Sequence, residues 1–128
     1  MRRALLGVAL VAVAATAGPA AGKPSEPVPD RVMARGTEFN LVLSKAKVTP
    51  GRVILQFLNA GEDPHDLRIA RVGDEGAEFG FGIVGPGDYQ NLDTRLRKRA
   101  SYVLWCSLSD HRALGMEAIL RTKKRRRH

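Results

Sequence analysis

Three side chains with affinity for soft metals stand close together near the C-terminus of this sequence. Cys106, the only cysteine of the chain, is followed by His111 and then by Met116 at intervals of five residues. Thiolate, imidazole and thioether donors favour copper over magnesium or calcium. A trigonal site of one cysteine and two histidines, with a long and weak methionine bond, suits electron-transfer copper. The segment 106–116 therefore predicts a soft-metal site that needs one more histidine.

Two histidines remain as candidates for the missing ligand, since the chain contains three. His128 is the last residue and follows a run of basic side chains, where an ordered position is not expected. His65 follows a turn rich in Gly, Asp and Pro, and begins an alternating segment in which His65, Leu67 and Ile69 share one face. A histidine at the first inward position of a strand can reach a neighbouring loop. His65 is therefore the better candidate.

Two segments of the chain together resemble a known family. They are Phe57-Leu-Asn-Ala-Gly…Pro-His65-Asp-Leu, and Tyr102-Val-Leu-Trp-Cys106 with the following His111 and Met116. Over about residues 38–121 the sequence is similar to the small type I (blue) copper proteins, the cupredoxins of plastocyanin and azurin type. The resemblance implies one type I copper per chain, which cycles between Cu(II) and Cu(I). The implied ligands are His65, Cys106, His111 and Met116.

The resemblance also implies a hydrogen bond that supports the site. In the family, the residue after the upstream histidine bonds across to the cysteine loop. That position is Asp66 here, in place of the commoner Asn, and Ser107 is its expected partner. Bonds of this kind orient the ligands and tune the metal. The alternative is that Asp66 faces solvent or pairs with Arg68.

The remaining sequence from residue 38 is a succession of short strand and turn patterns. Apolar and polar residues alternate over 39–44 and, after a Thr-Pro-Gly turn, over 53–57. Further strands are predicted over 65–69, 89–96, 100–106 and 116–122, and the Gly-rich span 73–87 leaves room for a short helical turn. This spacing predicts an all-β Greek-key β-sandwich or barrel, which the resemblance makes cupredoxin-like. Because Cys106 closes one predicted strand, Met116 opens the next and His65 begins a third, the copper site is expected at one end of the sandwich.

Four segments are predicted along the chain. Residues 1–22 have a basic start, an apolar stretch and small residues near their end, as in a secretory signal peptide. The alternative is a retained membrane anchor, although the apolar stretch is shorter than the roughly 20 residues that a spanning helix needs. Residues 23–37 are Pro-rich and charged and predict an extended tether. A single copper-binding domain over 38–122 and a basic tail over 123–128 follow, and export to the periplasm, the cell surface or the extracellular space is expected.

Charge and cysteine content narrow the range of partners. The formal net charge is +8, and five consecutive Lys and Arg residues at 123–127 carry most of it. Such a tail is usually solvated, and the alternative is that it attracts an acidic partner or an anionic surface. Nucleic acid is not expected as a partner, because aromatic residues are not interleaved with the basic ones.

A single cysteine cannot form an internal disulfide, and metal ligation would protect its thiolate. We expect a monomer.

Four classes of function follow from these patterns. The first is a carrier of single electrons that exchanges them with a redox partner protein through a copper-ligating histidine, His111 by resemblance. The second is a copper-handling protein that stores, delivers or senses the metal. An enzyme is not expected, because a multicopper oxidase or nitrite reductase needs further histidine-rich sites, and Ser109, Asp110 and His111 are adjacent in sequence without the loops of a hydrolase. The last class is a secreted sandwich that binds no metal.

Overall fold

Alternating apolar residues form nine β-strands in the computed structural model, which describes residues 12–124. In chain order the strands are β1 (Asp30–Thr37), β2 (Asn40–Leu43), β3 (Lys47–Val48), β4 (Gly51–Asn59), β5 (His65–Arg71), β6 (Asp74–Val84), β7 (Tyr89–Leu96), β8 (Ser101–Trp105) and β9 (Glu117–Thr122). Residues 12–124 contain no helix of the length and apolarity needed to cross a membrane. The prediction of an all-β chain is confirmed for the described residues.

The strands form two mixed sheets. One has the order β2-β1-β4-β7 and the other has the order β3-β9-β8-β5-β6. β1 runs parallel to β4, and β3 runs parallel to β9, whereas the other paired neighbours are antiparallel. The inner faces of the two sheets enclose one main hydrophobic core, as expected for a β-sandwich.

Alternate residues of β4 show how the sequence fills this core. Val53, Leu55, Phe57 and Asn59 are all buried, while the residues between them are partly exposed. This two-residue period is what a strand with one buried face requires. A buried polar residue at the end of such a series needs hydrogen-bond partners, and Asn59 has them, as described below.

The first strand corrects the predicted domain boundary. Residues 23–37 were expected to form an extended tether, but residues 30–37 form β1, which lies between β2 and β4 in its sheet. Val32 and Ala34 are buried there. The segment was charged and Pro-rich in composition, and the apolar Met33 between these two residues broke the apolar–polar alternation that would have marked a strand. The folded domain therefore begins at Asp30.

The Gly-rich span 73–87, which left room for a helical turn, contains the long strand β6 instead. Residues 12–29 have no regular secondary structure. Residues 1–11 of the predicted signal peptide and residues 125–128 of the basic tail lie outside the described residues, so both segments stay predictions.

Strand pairing brings several strand ends to the same end of the sandwich. Arg68 of β5 pairs with Trp105 of β8, and Trp105 also pairs with Glu117 of β9. Because these pairs are antiparallel, the start of β5, the end of β8 and the start of β9 lie side by side. In the other sheet, Gly36 of β1 pairs with Asn59 of β4, so these two parallel strands end together.

Candidate metal centre

The loop of residues 106–116 joins β8 to β9 and carries three of the predicted ligands. The backbone N–H of Cys106 donates to the carbonyl of Met116 at 3.2 Å, and the N–H of Met116 donates to the carbonyl of His111 at 3.0 Å. Gly115 has a φ of 116°, in the region that favours glycine, so the chain turns sharply before Met116. Cys106 and Met116 are fully buried, whereas His111 remains partly exposed.

His65 enters the site from the neighbouring strand, as the first residue of β5. Its side chain is fully buried. The turn before it is fixed by the amide of Asn59, whose Nδ2 donates to the carbonyls of Asp63 and Val84, each at 2.8 Å. The N–H of Gly61 in turn donates to Oδ1 of Asn59 at 3.0 Å. These bonds tie the turn to the end of β6 and thereby fix the position at which β5 begins.

Three donor atoms converge between these elements. The Nδ1 atoms of His65 and His111 are 3.2 Å apart, and Sγ of Cys106 lies 3.8 Å from the first and 3.5 Å from the second. A trigonal ion with bonds of about 2.0 Å to nitrogen and about 2.3 Å to sulfur would hold such atoms roughly 3.5–3.7 Å apart. The arrangement fits a single metal ion, and its mixture of one thiolate and two imidazoles suits copper.

Met116 lies in the same core cluster as Cys106. Its methyl end packs beside Gly36 of β1 and near the ring of Phe57 in β4, so it reaches from the ligand loop toward the opposite sheet. The structure thus places all four residues of the predicted ligand set at one end of the sandwich. Their action as metal ligands stays a prediction.

Asp66 makes the contact that the resemblance implied. Its carboxylate accepts a hydrogen bond from the backbone N–H of Ser107 at 2.6 Å and a second from the Ser107 hydroxyl. Asp66 is buried, so it does not simply face solvent. Residues 66 and 107 each follow a predicted ligand directly, and their bonds therefore connect the two segments that carry the site.

The surroundings of the thiol favour a bound cation. Burial raises the pKa of the Cys106 thiol, backbone hydrogen bonds to Leu108 and Asp66 oppose this shift, and the negative charge of Asp66 adds to it. A thiolate at this position therefore needs a positive charge beside it. A metal cation supplies such a charge and keeps a coordinating thiol deprotonated.

The exposed side of the ligand loop is also held in place. The ring of Phe39 packs against the imidazole of His111, with 4.6 Å between the ring centroids. Arg112 places its guanidinium 4.5 Å from the ring centre of Trp105 and pairs with Glu117. Trp105 is buried in a small second cluster, apart from the main core that holds Cys106. Contacts on both faces therefore restrain the loop.

One residue of the site was missed by the sequence reasoning. Glu38, in the turn between β1 and β2, places Oε1 2.9 Å from Nε2 of His65. Hydrogen bonds from the backbone amides of Asp63 and Glu62 lower the pKa of this carboxyl to about 2. No motif marks Glu38, because it is 27 residues away from its histidine. Only the parallel pairing of β1 with β4 brings the two residues together.

Comparison with known proteins finds similar solved structures but no similar sequence family. No protein-family model matches the sequence, and no curated protein matches it. Among solved structures, an auracyanin from the photosynthetic bacterium Roseiflexus castenholzii has a TM-score of 0.59 at 16% identity, and the match covers 76% of this chain and 99% of that one. Auracyanin B has a TM-score of 0.60 at 15% identity, with 77% and 93% covered.

A larger protein contains the same architecture as one of its parts. The copper-containing nitrite reductase from Thermus scotoductus matches with a TM-score of 0.53 at 17% identity, and the match covers 74% of this chain but only 31% of that one. The auracyanins, by contrast, are matched over nearly their whole length. These likenesses, with the two-sheet topology and the site at one end, show that the chain has the cupredoxin fold.

Proposed function

We propose that this protein is a type I copper protein that carries single electrons. The observation that carries the proposal is the convergence of two imidazole Nδ1 atoms on one buried thiol at distances that fit a single ion. His65, Cys106 and His111 would hold the copper, with Met116 as a fourth and weaker ligand. The bound ion would supply one-electron chemistry by cycling between Cu(II) and Cu(I).

Restraint of the ligands supports electron transfer over other copper chemistry. Fast transfer requires that ligands move little between the two oxidation states. Cys106, His111 and Met116 belong to one short loop whose ends are hydrogen-bonded to each other, and His65 stands on a strand beside it. The Asp66–Ser107 bonds join the two segments. The fold thus keeps the donors in place whether or not the charge of the ion changes.

The exposure of the ligands indicates where an electron would enter. His65, Cys106 and Met116 are fully buried, and only His111 among the four is partly exposed. Of the four residues His111 thus lies nearest to solvent, and a redox partner protein would dock over it. The partner is unidentified, and we infer from the apolar N-terminal stretch that both proteins meet outside the cytoplasm.

A carrier is favoured over an enzyme by likeness to small copper proteins over nearly their whole length. The fold matches nearly the whole length of the auracyanins, one of which is described as a "blue" copper protein, but about a third of the nitrite reductase. The chain also has three histidines, of which two are used at this site. A second catalytic copper centre would need more.

Spectroscopy of the copper-loaded protein tests the proposal. After addition of Cu(II), we expect an intense visible thiolate-to-copper band, narrow hyperfine splitting in the electron spin resonance spectrum, and a reversible one-electron couple. Cys106→Ser should abolish the colour. A pale band with ordinary splitting, together with ready release of copper to an acceptor protein, would instead identify a copper-handling protein. An unchanged coloured band in Cys106→Ser would refute the assignment of the site.

A further inference from the structure

The carboxylate of Glu38 is bound by backbone N–H groups of the neighbouring turn, residues 61–63. Its Oε1 accepts hydrogen bonds from the N–H groups of Glu62 at 2.9 Å and Asp63 at 2.8 Å, and Oε2 lies 3.1 Å from the same Glu62 N–H. Backbone amides that point at one carboxylate favour its ionised form. Asn59 also holds this turn through its own hydrogen bonds, so the shape of the turn does not depend on Glu38.

Gly61 makes room for this carboxylate. A Cβ atom at position 61 would lie 2.2 Å from Oε1 and 2.6 Å from Oε2 of Glu38, which is far inside contact distance. The same oxygen, Oε1, also lies 2.9 Å from Nε2 of His65. Glu38 is therefore held by the turn on one side and meets the buried imidazole on the other.

The imidazole of His65 thus has a different partner at each nitrogen. Nε2 faces the carboxylate, and Nδ1 faces the Cys106 thiol and His111. We propose that Glu38 is a positioning residue for this copper ligand: it holds the ring with Nδ1 directed at the metal, and its charge favours Cu(II) over Cu(I). This inference rests on the proposed function, since it concerns the same centre.

Two physical effects would act together. An acceptor at Nε2 keeps the proton on that nitrogen, leaves the Nδ1 lone pair free for a metal, and makes the ring a stronger electron donor to it. A fixed negative charge against the ring also stabilises the more highly charged ion; Glu38 itself is exposed, so solvent weakens this effect and the direct contact with the buried imidazole carries it. Both effects stabilise Cu(II) more than Cu(I) and so lower the reduction potential.

Glu38→Gln separates charge from shape. A glutamine carbonyl oxygen in place of Oε1 can accept the same three hydrogen bonds, while the negative charge is lost. We expect the ratio of Cu(II) to Cu(I) affinity to fall about tenfold, which raises the potential of a one-electron couple by about 59 mV. The matched control is Glu62→Gln, which removes the same charge from a neighbouring exposed side chain while keeping the backbone N–H that binds Glu38, and it should change the ratio less than about twofold.

Gly61→Ala tests the position of the Glu38 carboxylate in the turn without changing Glu38 itself. The added methyl group should displace the carboxylate and shift the potential in the same direction as Glu38→Gln. If both changes act through the same contact, the double variant should show no further shift beyond the larger single effect. Additive shifts in the reduction potential would mean that Gly61 acts by another route, and they would count against the proposed contact between Glu38 and His65.

A measurement on the metal-free protein distinguishes this inference from the proposed function. By nuclear magnetic resonance, the Nε2 proton of His65 should exchange slowly with solvent in the wild type and rapidly in Gly61→Ala. Equal exchange in the two proteins, or equal potentials in Glu38→Gln and Glu62→Gln, would overturn the role of Glu38. Absence of the thiolate band from the wild type would instead overturn the proposed function, and the exchange rates would still decide whether Glu38 holds His65.

Discussion

Substitution of Gly36 by alanine should disturb the metal centre from the opposite sheet. A Cβ atom at position 36 would lie 2.7 Å from Cε of Met116 and 3.0 Å from Cε2 of Phe57. Carbon atoms in contact are normally about 3.5–4.0 Å apart. Phe57 is a fully buried ring in the core, whereas the methionine tail is flexible. We therefore expect Met116 to move by about 1 Å, which relieves the closest contact.

The expected change in the unfolding free energy of Gly36→Ala is the sum of two opposing effects. Overpacking of a core costs about 1–3 kcal/mol, while alanine in place of glycine restricts the unfolded chain and restores about 0.4–1 kcal/mol. Gly82→Ala is a matched control, because Gly82 is exposed in β6 and its added Cβ would meet nothing within 4 Å. The two variants share the chain-entropy term, so their difference in unfolding free energy should be about 1–3 kcal/mol and report the strain alone.

Urea unfolding of the metal-free variants measures this difference, and the spectra of the copper-loaded variants measure its effect on the site. We expect Gly36→Ala to change the visible and electron spin resonance spectra through displacement of the thioether, and Gly82→Ala to leave them unchanged. If both variants unfold within about 0.5 kcal/mol of each other and have the same spectra, Met116 does not lie against Gly36 as described, and the reasoning fails.

Three further predictions use other contacts of the same structure. Asn59→Ala should lower the unfolding free energy by about 1–3 kcal/mol, because the buried carbonyl of Val84 and the partly buried carbonyl of Asp63 lose the amide that donates to them; a loss near zero in urea unfolding would contradict this. Met116→Leu should retain copper but raise the reduction potential, since removal of a weak sulfur donor favours Cu(I); a lower potential by redox titration would count against a thioether ligand. At Asp30, burial raises the pKa of the carboxyl, but hydrogen bonds from Lys45 and from backbone amides outweigh it and lower the pKa to about 2. Its stabilisation is therefore present in full above about pH 4 and is lost as the pH falls through about 2, so Asp30→Asn should cost about 1 kcal/mol at neutral pH and only a small part of that near pH 2; an undiminished gap at pH 2 would be inconsistent with this origin.

The local part of the site was accessible from the sequence. Cys106, His111 and Met116 lie within one loop, and their spacing alone indicates a soft-metal site. His65 was found because a turn and an alternating strand mark its position. The bond between Asp66 and Ser107 required the resemblance, since nothing in the order of residues shows that the two segments meet.

The remaining part depended on pairing between distant strands. β1 begins next to a charged, Pro-rich region, and the residue between its buried Val32 and Ala34 is the apolar Met33, so no apolar–polar alternation marks the strand. Without β1, neither Gly36 nor Glu38 has a visible connection to the site. The parallel pairing of β1 with β4 is what a sequence pattern could not supply, because its register is set by packing across the core.

Two carboxylates approach the centre from different sides, and their combined effect can be argued from their partners. Asp66 contacts the segment that follows the thiol, and Glu38 contacts the imidazole of His65. Each accepts at least one hydrogen bond from a backbone N–H group, which restrains its position beside the site. Negative charges close to a metal stabilise its more oxidised state, and the buried Asp66 is screened less by solvent than the exposed Glu38. A centre with both should hold Cu(II) more firmly than the same ligand set with neutral neighbours, which would suit a carrier that accepts electrons only from a strong donor.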